Sequence, residues 1–126
     1  MDVVGIGMDL VDIDRVRRML DRHPRFRERV FTPAEVAYCE SKADPPERYA
    51  ARWAAREATI KALGGVRGLR YHDISVGRAP SGAPRILLEG SAKLRAEGRG
   101  VADVLVSFSH ERGMAGAFCV AVGEAP

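Results

Sequence analysis

The sequence predicts an α+β fold in which a largely antiparallel sheet packs against one long helix. The chain begins with an alternating segment, residues 3–11, and ends with two more, 104–109 and 114–122, around a short hairpin loop. Most segments between them show helix starts and stops instead of strand alternation. The predicted order of elements is therefore β-α-α-α-β-β-α-β-β.

The first strand, over residues 3–11, has two unlike faces. Side chains alternate between Val4, Ile6 and Met8 on one face and Gly5, Gly7 and Asp9 on the other. Glycine weakens a strand and often marks close approach by a ligand or another backbone. Asp9 at a strand end is ordinarily a helix cap, but Asp12 or Asp14 can cap the next helix, over about 14–22. The pattern therefore leaves Asp9 free for another role.

The middle helices have clear boundaries. Thr32-Pro33-Ala34-Glu35 is a capping box with proline at the first helical position, which predicts a helix over about 33–41. Asp44-Pro45-Pro46 separates it from a long helix over about 47–63. Gly64-Gly65 ends that helix.

The remaining elements follow from turn chemistry. A strand beginning at residues 74–76 pairs, through the turn at 80–84, with residues 85–89. Ser91 can cap a short helix over about 91–98. The last two strands enclose a turn at 110–113 that contains glycine at its tight position.

The long helix places two charges among small apolar residues. At about 100° per residue, one arc is apolar and the opposite arc is polar. The apolar arc contains Ala50, Ala51, Trp53, Ala54, Ala58, Ile60 and Ala62, and the opposite arc contains Arg52, Arg56 and Thr59. Glu57 and Lys61 fall inside the apolar arc, side by side. A solvated ion pair is the ordinary explanation; a ligand site is the alternative.

The polar groups at other element ends favour the ligand site. Asp9 and Glu57 are hard carboxylates that suit Mg²⁺, which takes one or two protein carboxylates plus substrate phosphates. Lys61 can neutralise a phosphate as a point charge, and His110, near Ser109, can hold another. Such a set fits phosphoryl chemistry, where catalysis is mostly positioning and charge neutralisation.

Length and composition limit the class of protein. The 126 residues predict a single domain, 1–126, and 46% hydrophobic with 29% charged residues is typical of a folded globular chain. No apolar run is long enough to span a bilayer, and the N-terminus lacks the basic flank of a signal peptide. We therefore expect a cytoplasmic protein without membrane contact. Cys39 and Cys119 are isolated, which favours reduced, packed thiols.

The net charge of +3 is concentrated in one segment. Seven arginines lie between residues 14 and 29: Arg15, Arg17, Arg18, Arg22, Arg25, Arg27 and Arg29. A cationic surface of this kind predicts an anionic partner, and a solvated helix face is the alternative. Nucleic acid is not favoured, because only Phe26 and Phe31 lie near these arginines as stacking residues.

Several separated motifs together resemble one family along essentially the whole chain. They are Gly5-Ile6-Gly7-Met8-Asp9-Leu10, Phe31-Thr32 with Glu35, Ala51 to Ala58 with Lys61-Ala62-Leu63-Gly64, Gly82-Ala83-Pro84, and Val106 to Glu111. In this order and spacing they resemble the short, holo-acyl-carrier-protein synthase type of 4′-phosphopantetheinyl transferase.

The resemblance implies an activity and a catalytic set. Such enzymes move the phosphopantetheine arm of coenzyme A onto a serine of an apo acyl carrier protein and release adenosine 3′,5′-bisphosphate. Asp9 and Glu57 match the family's Mg²⁺ ligands, and Lys61 matches the lysine that contacts the transferred phosphate. His110 matches a histidine that lies against coenzyme A. Glu57 is the candidate acceptor of the serine proton, directly or through a water.

The resemblance also implies where the other ligands bind. Coenzyme A contacts are expected at Arg52, Lys61, Gly64, Pro84, Ser109 and His110. The family is usually a homotrimer whose sites are shared between neighbouring subunits. Its carrier proteins are generally acidic around the modified serine, which gives the arginine-rich segment a counterpart. The expected docking residues are Arg15, Arg18, Met19, Arg22, Arg25 and Phe26.

Some alternatives remain at this stage. Arg56 stands where the family normally has lysine, and it lies toward the polar arc, so a change at Lys61 is expected to impair turnover more than one at Arg56. A non-catalytic binder of acidic proteins is one rival function. Another Mg²⁺-dependent phosphotransferase or nuclease is the second, although such enzymes usually assemble more carboxylates. The carrier can belong to fatty-acid or polyketide synthesis.

Overall fold

A computed structural model describes residues 1–126, with strands at both ends of the chain and all five α-helices between them. The elements are β1 (Asp2–Asp12), α1 (Ile13–Arg22), α2 (Phe26–Val30), α3 (Pro33–Glu40), α4 (Pro45–Ala62), a 3₁₀ turn (Tyr71–Asp73), β2 (Ile74–Arg78), β3 (Pro84–Leu88), α5 (Gly90–Gly98), β4 (Val101–Glu111) and β5 (Met114–Gly123). The predicted α+β class is confirmed. Only α2 and the 3₁₀ turn were not predicted from the sequence.

The sheets are antiparallel throughout. β1, β5 and β4 form a three-stranded sheet with β5 in the centre, and β2 pairs with β3 in a separate hairpin. β4 extends through Glu111, so His110 lies on the strand and not in the predicted turn. The turn is formed by Arg112 and Gly113, which both have positive φ, as a two-residue hairpin loop requires.

Helix caps fix the entry to several helices. The side chain of Asp12 accepts a hydrogen bond from the backbone N–H of Arg15 and caps α1. Asp9 therefore does not serve as the cap of this helix, as expected. Thr32 and Glu35 form the predicted capping box of α3. The predicted cap of α5 at Ser91 is wrong: Ser91 lies within the first turn, and its N–H and hydroxyl donate to Asp73.

The glycine face of β1 lies against α4. A Cβ added to Gly5 would lie 2.1 Å from the carbonyl oxygen of Ala62, and one at Gly7 would lie 2.0 Å from that of Ala58. The glycines therefore serve close approach between two backbones, and they place Asp9, on the same face, beside the helix. The other face of the sheet is open and apolar. It exposes Val3, Ile6, Met8, Leu10, Leu105 and Phe118.

Helix α4 is buried on almost every side. The arc that is polar in sequence, with Arg52, Arg56 and Thr59, is fully buried. The most open strip runs through Trp53, Glu57 and Lys61, of which Lys61 is exposed. The apolar periodicity of α4 therefore did not identify its outward side, because two arginines pack inside.

The buried Arg56 is neutralised by an ion pair with Glu35. Arg56 donates through both terminal nitrogens to the Glu35 carboxylate, at 2.8 Å for Nη1–Oε2. Glu35 also accepts from the backbone N–H of Val76 at 3.0 Å and of Thr32 at 2.9 Å. Arg56 Nε donates to the Tyr71 carbonyl at 3.1 Å. Because the pair is hydrogen-bonded on both sides, it ties α3, α4 and β2 together at tolerable desolvation cost.

The cysteines pack as predicted. Cys39 and Cys119 are both free and buried. Burial raises the pKa of the Cys39 thiol to about 11. No helix combines the length and the apolar character needed to cross a membrane.

Candidate active site

Strand β1 and helix α4 bring Asp9 and Lys61 together. The ammonium of Lys61 donates to the carbonyl of Met8 at 2.9 Å and lies 3.4 Å from Asp9 Oδ1. The Asp9 side chain is 19% exposed and that of Lys61 54%. Lys61 is thus held at the end of the helix by the strand, and its charge is available to a ligand in front of it.

Glu57 lies one helical turn before Lys61 and is half-buried. Burial raises the pKa of its carboxyl, and the negative charge of Asp9 raises it further. A hydrogen bond from the Tyr71 hydroxyl to Glu57 Oε1, at 3.4 Å, and the charge of Lys61 act in the opposite direction. Two carboxylates that repel each other in a partly buried site favour a bound cation.

Asp9 and Glu57 line a common cleft of about 340 Å³. The walls come from the end of β1, from α1 and from the start of α2, and include Arg15, Met19 and Phe26. Met19 and Phe26 also line an adjoining open groove, together with Arg25 and Tyr71. The predicted metal ligands therefore lie next to part of the predicted docking surface.

The donor set fits Mg²⁺ bound together with a phosphate ligand. No group of three or more His, Cys, Asp or Glu side chains is arranged to hold a metal alone. Mg²⁺ needs no such cage, because it retains waters and uses one or two carboxylates plus substrate phosphates. Asp9 and Glu57 supply those carboxylates, and Lys61 supplies a further positive charge for the phosphate.

The docking residues do not lie on one helix. α1 ends at Arg22, and Arg25 precedes the separate short helix α2, which begins at Phe26. Arg15, Met19 and Phe26 lie at the cleft, whereas Arg18 and Arg22 are exposed on α1 without lining it. Arg25 and Phe26 therefore do not continue the helix that carries Arg15, Arg18, Met19 and Arg22. Three of the six predicted docking residues still line the cleft that contains Asp9 and Glu57.

A second polar cluster surrounds Tyr38 on the opposite side of α4. The guanidinium of Arg52 lies 4.2 Å from the Tyr38 ring centroid, that of Arg78 4.7 Å, and the Lys42 ammonium 4.8 Å. Burial alone raises the pKa of Tyr38, but these three cations together lower it below its ordinary value. Pro84 pairs with Arg78 across the β2–β3 hairpin. Sequence reasoning selected Arg52 and Pro84 but missed Tyr38, Lys42 and Arg78, which carry no motif.

Arg52 is the least satisfied member of this cluster. It is 2% exposed, its Nη1 makes only a long bond of 3.4 Å to the Arg48 carbonyl, and its buried Nε has no partner. Burial lowers the pKa of Arg52. An arginine with a free buried donor, next to two further cations, favours an anion.

His110 lies far from Glu57 of the same chain. Its Nε2 is 3.5 Å from Oε1 of Glu47, in the first turn of α4. Glu47 precedes Glu57 by ten residues, or about 15 Å along the helix axis. Ser109, beside His110, is exposed as well. His110 therefore does not reach Glu57 within one chain, whereas Ser109 and Asp9 both line a cavity of about 180 Å³.

Gly64 follows the last turn of α4, close to Lys61. It has a φ of +96°, and an added Cβ would lie 2.8 Å from Arg99 Nη1. The next residue, Gly65, donates to the carbonyl of Ile60 and closes the helix end. A side chain at Gly64 would thus be strained and would displace Arg99, which explains the glycine structurally.

Comparison with known proteins identifies the class to which this fold and site belong. The family model described as the 4′-phosphopantetheinyl transferase superfamily matches residues 5–119. The chain belongs to this superfamily, and within it to the holo-[acyl-carrier-protein] synthase family.

Individual relatives are similar over nearly their full length. The holo-[acyl-carrier-protein] synthase of Anaeromyxobacter sp. (strain K) is 43% identical, over 98% of this chain and 99% of its own. That of Desulforudis audaxviator is 46% identical, over 96% and 94%. The resemblance stated from the motifs is therefore confirmed.

Solved structures share the fold. The holo-[acyl-carrier-protein] synthase of Neisseria meningitidis matches with a TM-score of 0.88 and 31% identity, over 96% of this chain and 99% of that one. The Helicobacter pylori protein, solved in complex with coenzyme A, matches with a TM-score of 0.81 and 32% identity, over 93% and 99%.

Proposed function

We propose that this protein transfers the 4′-phosphopantetheine group of coenzyme A to a serine of an apo acyl carrier protein, with Mg²⁺, and releases adenosine 3′,5′-bisphosphate. The main support is the cleft in which Asp9 and Glu57 face the docking residues Arg15, Met19 and Phe26. The names of the relatives give the carrier protein, and the complex of the Helicobacter pylori protein gives coenzyme A.

Asp9 and Glu57 would hold Mg²⁺, which supplies charge neutralisation at the diphosphate of coenzyme A. Lys61, fixed by the Met8 carbonyl and by Asp9, adds a positive charge at the phosphate that is transferred. The serine oxygen forms a bond to the phosphorus that carries the pantetheine arm. The bond from that phosphorus to the bisphosphate nucleotide breaks, and the nucleotide leaves with the electron pair.

The serine proton needs an acceptor near this phosphorus. Glu57 is our candidate, either directly or through a water, because burial and the charge of Asp9 make its carboxylate more basic than an ordinary glutamate. Arg56 is not a candidate, since arginine stays protonated and this one is fully paired with Glu35.

The rest of coenzyme A is proposed to reach two further regions. The Tyr38 cluster, with the unpartnered Nε of Arg52 and with Pro84, suits a phosphate of the nucleotide. His110 and Ser109 suit another part of the ligand. In one chain neither the Tyr38 cluster nor His110 lines the cleft of Asp9 and Glu57, which supports a site assembled from neighbouring subunits.

A homotrimer is the proposed assembly. The open face of the β1–β5–β4 sheet carries apolar side chains, with Leu10 64%, Ile6 60% and Leu105 52% exposed. Contiguous exposed apolar side chains of this kind mark an interaction surface. Burying this face between copies would cover the patch and can bring His110 of one subunit toward Asp9 of the next.

The rival functions have less support. A non-catalytic binder of acidic proteins does not require these three groups to lie together, whereas Asp9 and Glu57 line one cleft and the Lys61 ammonium lies 3.4 Å from Asp9 Oδ1. A two-metal phosphotransferase or nuclease requires more carboxylates than these two. The cytoplasmic location and the choice between a fatty-acid and a polyketide carrier stay predictions.

The decisive test is mass spectrometry of purified apo acyl carrier proteins, one of fatty-acid and one of polyketide type, incubated with this protein and coenzyme A. With Mg²⁺ we expect a mass increase of one phosphopantetheine group on the modified serine, together with stoichiometric adenosine 3′,5′-bisphosphate. With a chelator we expect neither product. If no carrier gains mass while a characterised synthase modifies the same samples, the proposed function is wrong.

A further inference from the structure

Tyr71 reaches the site from a part of the chain that no motif marked. It begins the 3₁₀ turn between α4 and β2, fourteen residues after Glu57. Its hydroxyl donates to Glu57 Oε1 at 3.4 Å. This distance is long for an O–H···O bond, as hydrogen bonds of ligand-free active sites often are before they tighten on binding.

Two contacts fix the position of Tyr71. Its ring packs against that of Trp53 at a centroid distance of 5.4 Å, and Trp53 lies one helical turn before Glu57. Its backbone carbonyl accepts from Nε of the buried Arg56 at 3.1 Å, and Arg56 is itself paired with Glu35. The hydroxyl is therefore held by the protein core and not by a flexible loop.

A carboxylate that binds a metal through one oxygen needs its orientation fixed. Glu57 is half-buried beside Asp9, and no cation of the chain lies within salt-bridge distance of it. Lys61, the nearest candidate, is engaged by Met8 and Asp9. The Tyr71 hydroxyl is the one side-chain donor to the Glu57 carboxylate. Such outer hydrogen bonds to ligating carboxylates tune metal affinity in proteins.

We propose that Tyr71 is a positioning residue for Glu57: its hydroxyl fixes the carboxylate in the orientation that binds the divalent cation together with Asp9. The identity of the cation as Mg²⁺ rests on the proposed function. Arg56 then acts on the site only indirectly, by donating a hydrogen bond to the carbonyl of Tyr71. Its side chain is fully buried and does not line the cleft.

The test compares Tyr71→Phe with a matched variant, Tyr49→Phe. Tyr49 also donates its hydroxyl to a carboxylate, that of Glu40 at 2.6 Å, but away from the cleft. Both changes remove one hydroxyl and keep the ring. Circular dichroism and thermal unfolding verify that each variant is folded.

The first readout is cation affinity, measured by Mn²⁺ paramagnetic resonance and by calorimetry with Mg²⁺, at saturating coenzyme A. We expect Tyr71→Phe to weaken cation binding by about 10-fold or more, and Tyr49→Phe to leave it unchanged. The second readout is carrier modification as a function of Mg²⁺. The activity of Tyr71→Phe should approach that of the wild type at high Mg²⁺, because the missing bond affects affinity and not the chemistry.

Unchanged cation affinity in folded Tyr71→Phe overturns the proposal, as does an equal loss in Tyr49→Phe. These outcomes are separable from the proposed function. A wild-type protein that modifies its carrier while Tyr71→Phe binds the cation normally contradicts only the role of Tyr71. A wild-type protein that binds the cation, loses affinity in Tyr71→Phe and modifies no carrier supports the role of Tyr71 and contradicts the proposed function.

Discussion

Lys61 pairs with Asp9 on the neighbouring strand and not with Glu57, its neighbour one turn earlier on α4. Its ammonium lies 3.4 Å from Asp9 Oδ1 and donates to the Met8 carbonyl. A solvated i,i+4 ion pair with Glu57, the ordinary explanation of this spacing, is not formed. The helix instead contributes a carboxylate and an ammonium separately, and the strand supplies the second carboxylate between them.

Asp9 and Glu57 should each be indispensable for turnover. Replacing either by alanine should lower the rate of carrier modification by about 10²-fold or more, since each carboxylate neutralises and positions the same cation. Both variants should stay folded, because neither change removes apolar volume from the core. The measurement is steady-state kinetics with thermal unfolding in parallel. Glu97→Ala, on the exposed face of α5, is the control, and near-wild-type turnover of Glu57→Ala would contradict the mechanism.

In the absence of metal, the negative charge of Glu57 should lower the free energy of unfolding. Its pKa is raised in the folded protein by burial and by Asp9, so the folded state binds its proton more tightly than the unfolded chain does. The contribution of Glu57 to stability therefore falls as pH rises from the ordinary glutamate value through the raised one. In a chelator, Glu57→Gln should be more stable than the wild type at neutral pH.

That difference should shrink in acid, where Glu57 of the wild type becomes protonated. Thermal unfolding of both proteins from pH 4 to pH 8 measures it. Glu97→Gln, at an exposed position on α5, is the control for the change of net charge. A Glu57→Gln variant less stable than the wild type at neutral pH would show that Glu57 is stabilised by its surroundings instead.

Local sequence patterns predicted the parts of this site that belong to element ends. Asp9 follows from glycine alternation and from the presence of another cap, Asp12. Glu57 and Lys61 follow from their place on a helix that is otherwise apolar. The elements themselves follow from caps, prolines and turns, with errors of a few residues at their boundaries.

Contacts between distant segments could not be predicted in this way. The Arg56–Glu35 pair joins residues 21 apart, and the Tyr38 cluster is formed by three different segments. Alternation along β1 defines two faces but does not say which one meets the helix. The glycine face packs on α4 and the apolar face of Ile6 and Leu10 is exposed, and apolar alternation alone does not distinguish a face that packs inside the chain from one that stays exposed.

Arg56 should act mainly on stability. Arg56→Ala would leave the Glu35 carboxylate buried without its counter-charge, which typically costs about 3–5 kcal/mol. Arg56→Lys keeps the charge, but a single ammonium cannot replace both the bidentate hydrogen bond to Glu35 and the hydrogen bond to the Tyr71 carbonyl. We expect an intermediate loss, measured by chemical unfolding. Lys61→Ala, which breaks only exposed contacts, should stay folded and lose turnover; the reverse pattern would contradict the assignment.

The arginines near the cleft should govern carrier binding. Arg15→Glu with Arg22→Glu should raise the carrier KM and weaken its dependence on salt, while coenzyme A binding stays nearly unchanged. Because Arg15 lines the cleft and Arg22 does not, Arg15→Glu alone should account for most of the effect. Kinetics with each substrate varied in turn, at low and high ionic strength, measure this. Lys93→Glu on α5 is the charge-matched control, and an equal effect there would indicate a nonspecific response to net charge.

A shared site predicts rescue between two inactive variants. Asp9→Ala and His110→Ala remove groups from two different strands, β1 and β4, and we expect both proteins to lose activity. If one subunit contributes Asp9 and the next contributes His110, each trimer that contains both variants has about one intact site in three. Co-expression of the two variants with different tags, followed by purification on both tags, should therefore restore activity. A mixture of Asp9→Ala with Glu57→Ala should restore none, because both changes damage the same half of the site. Equal recovery in the two mixtures, or recovery in neither, would contradict a site built from two subunits.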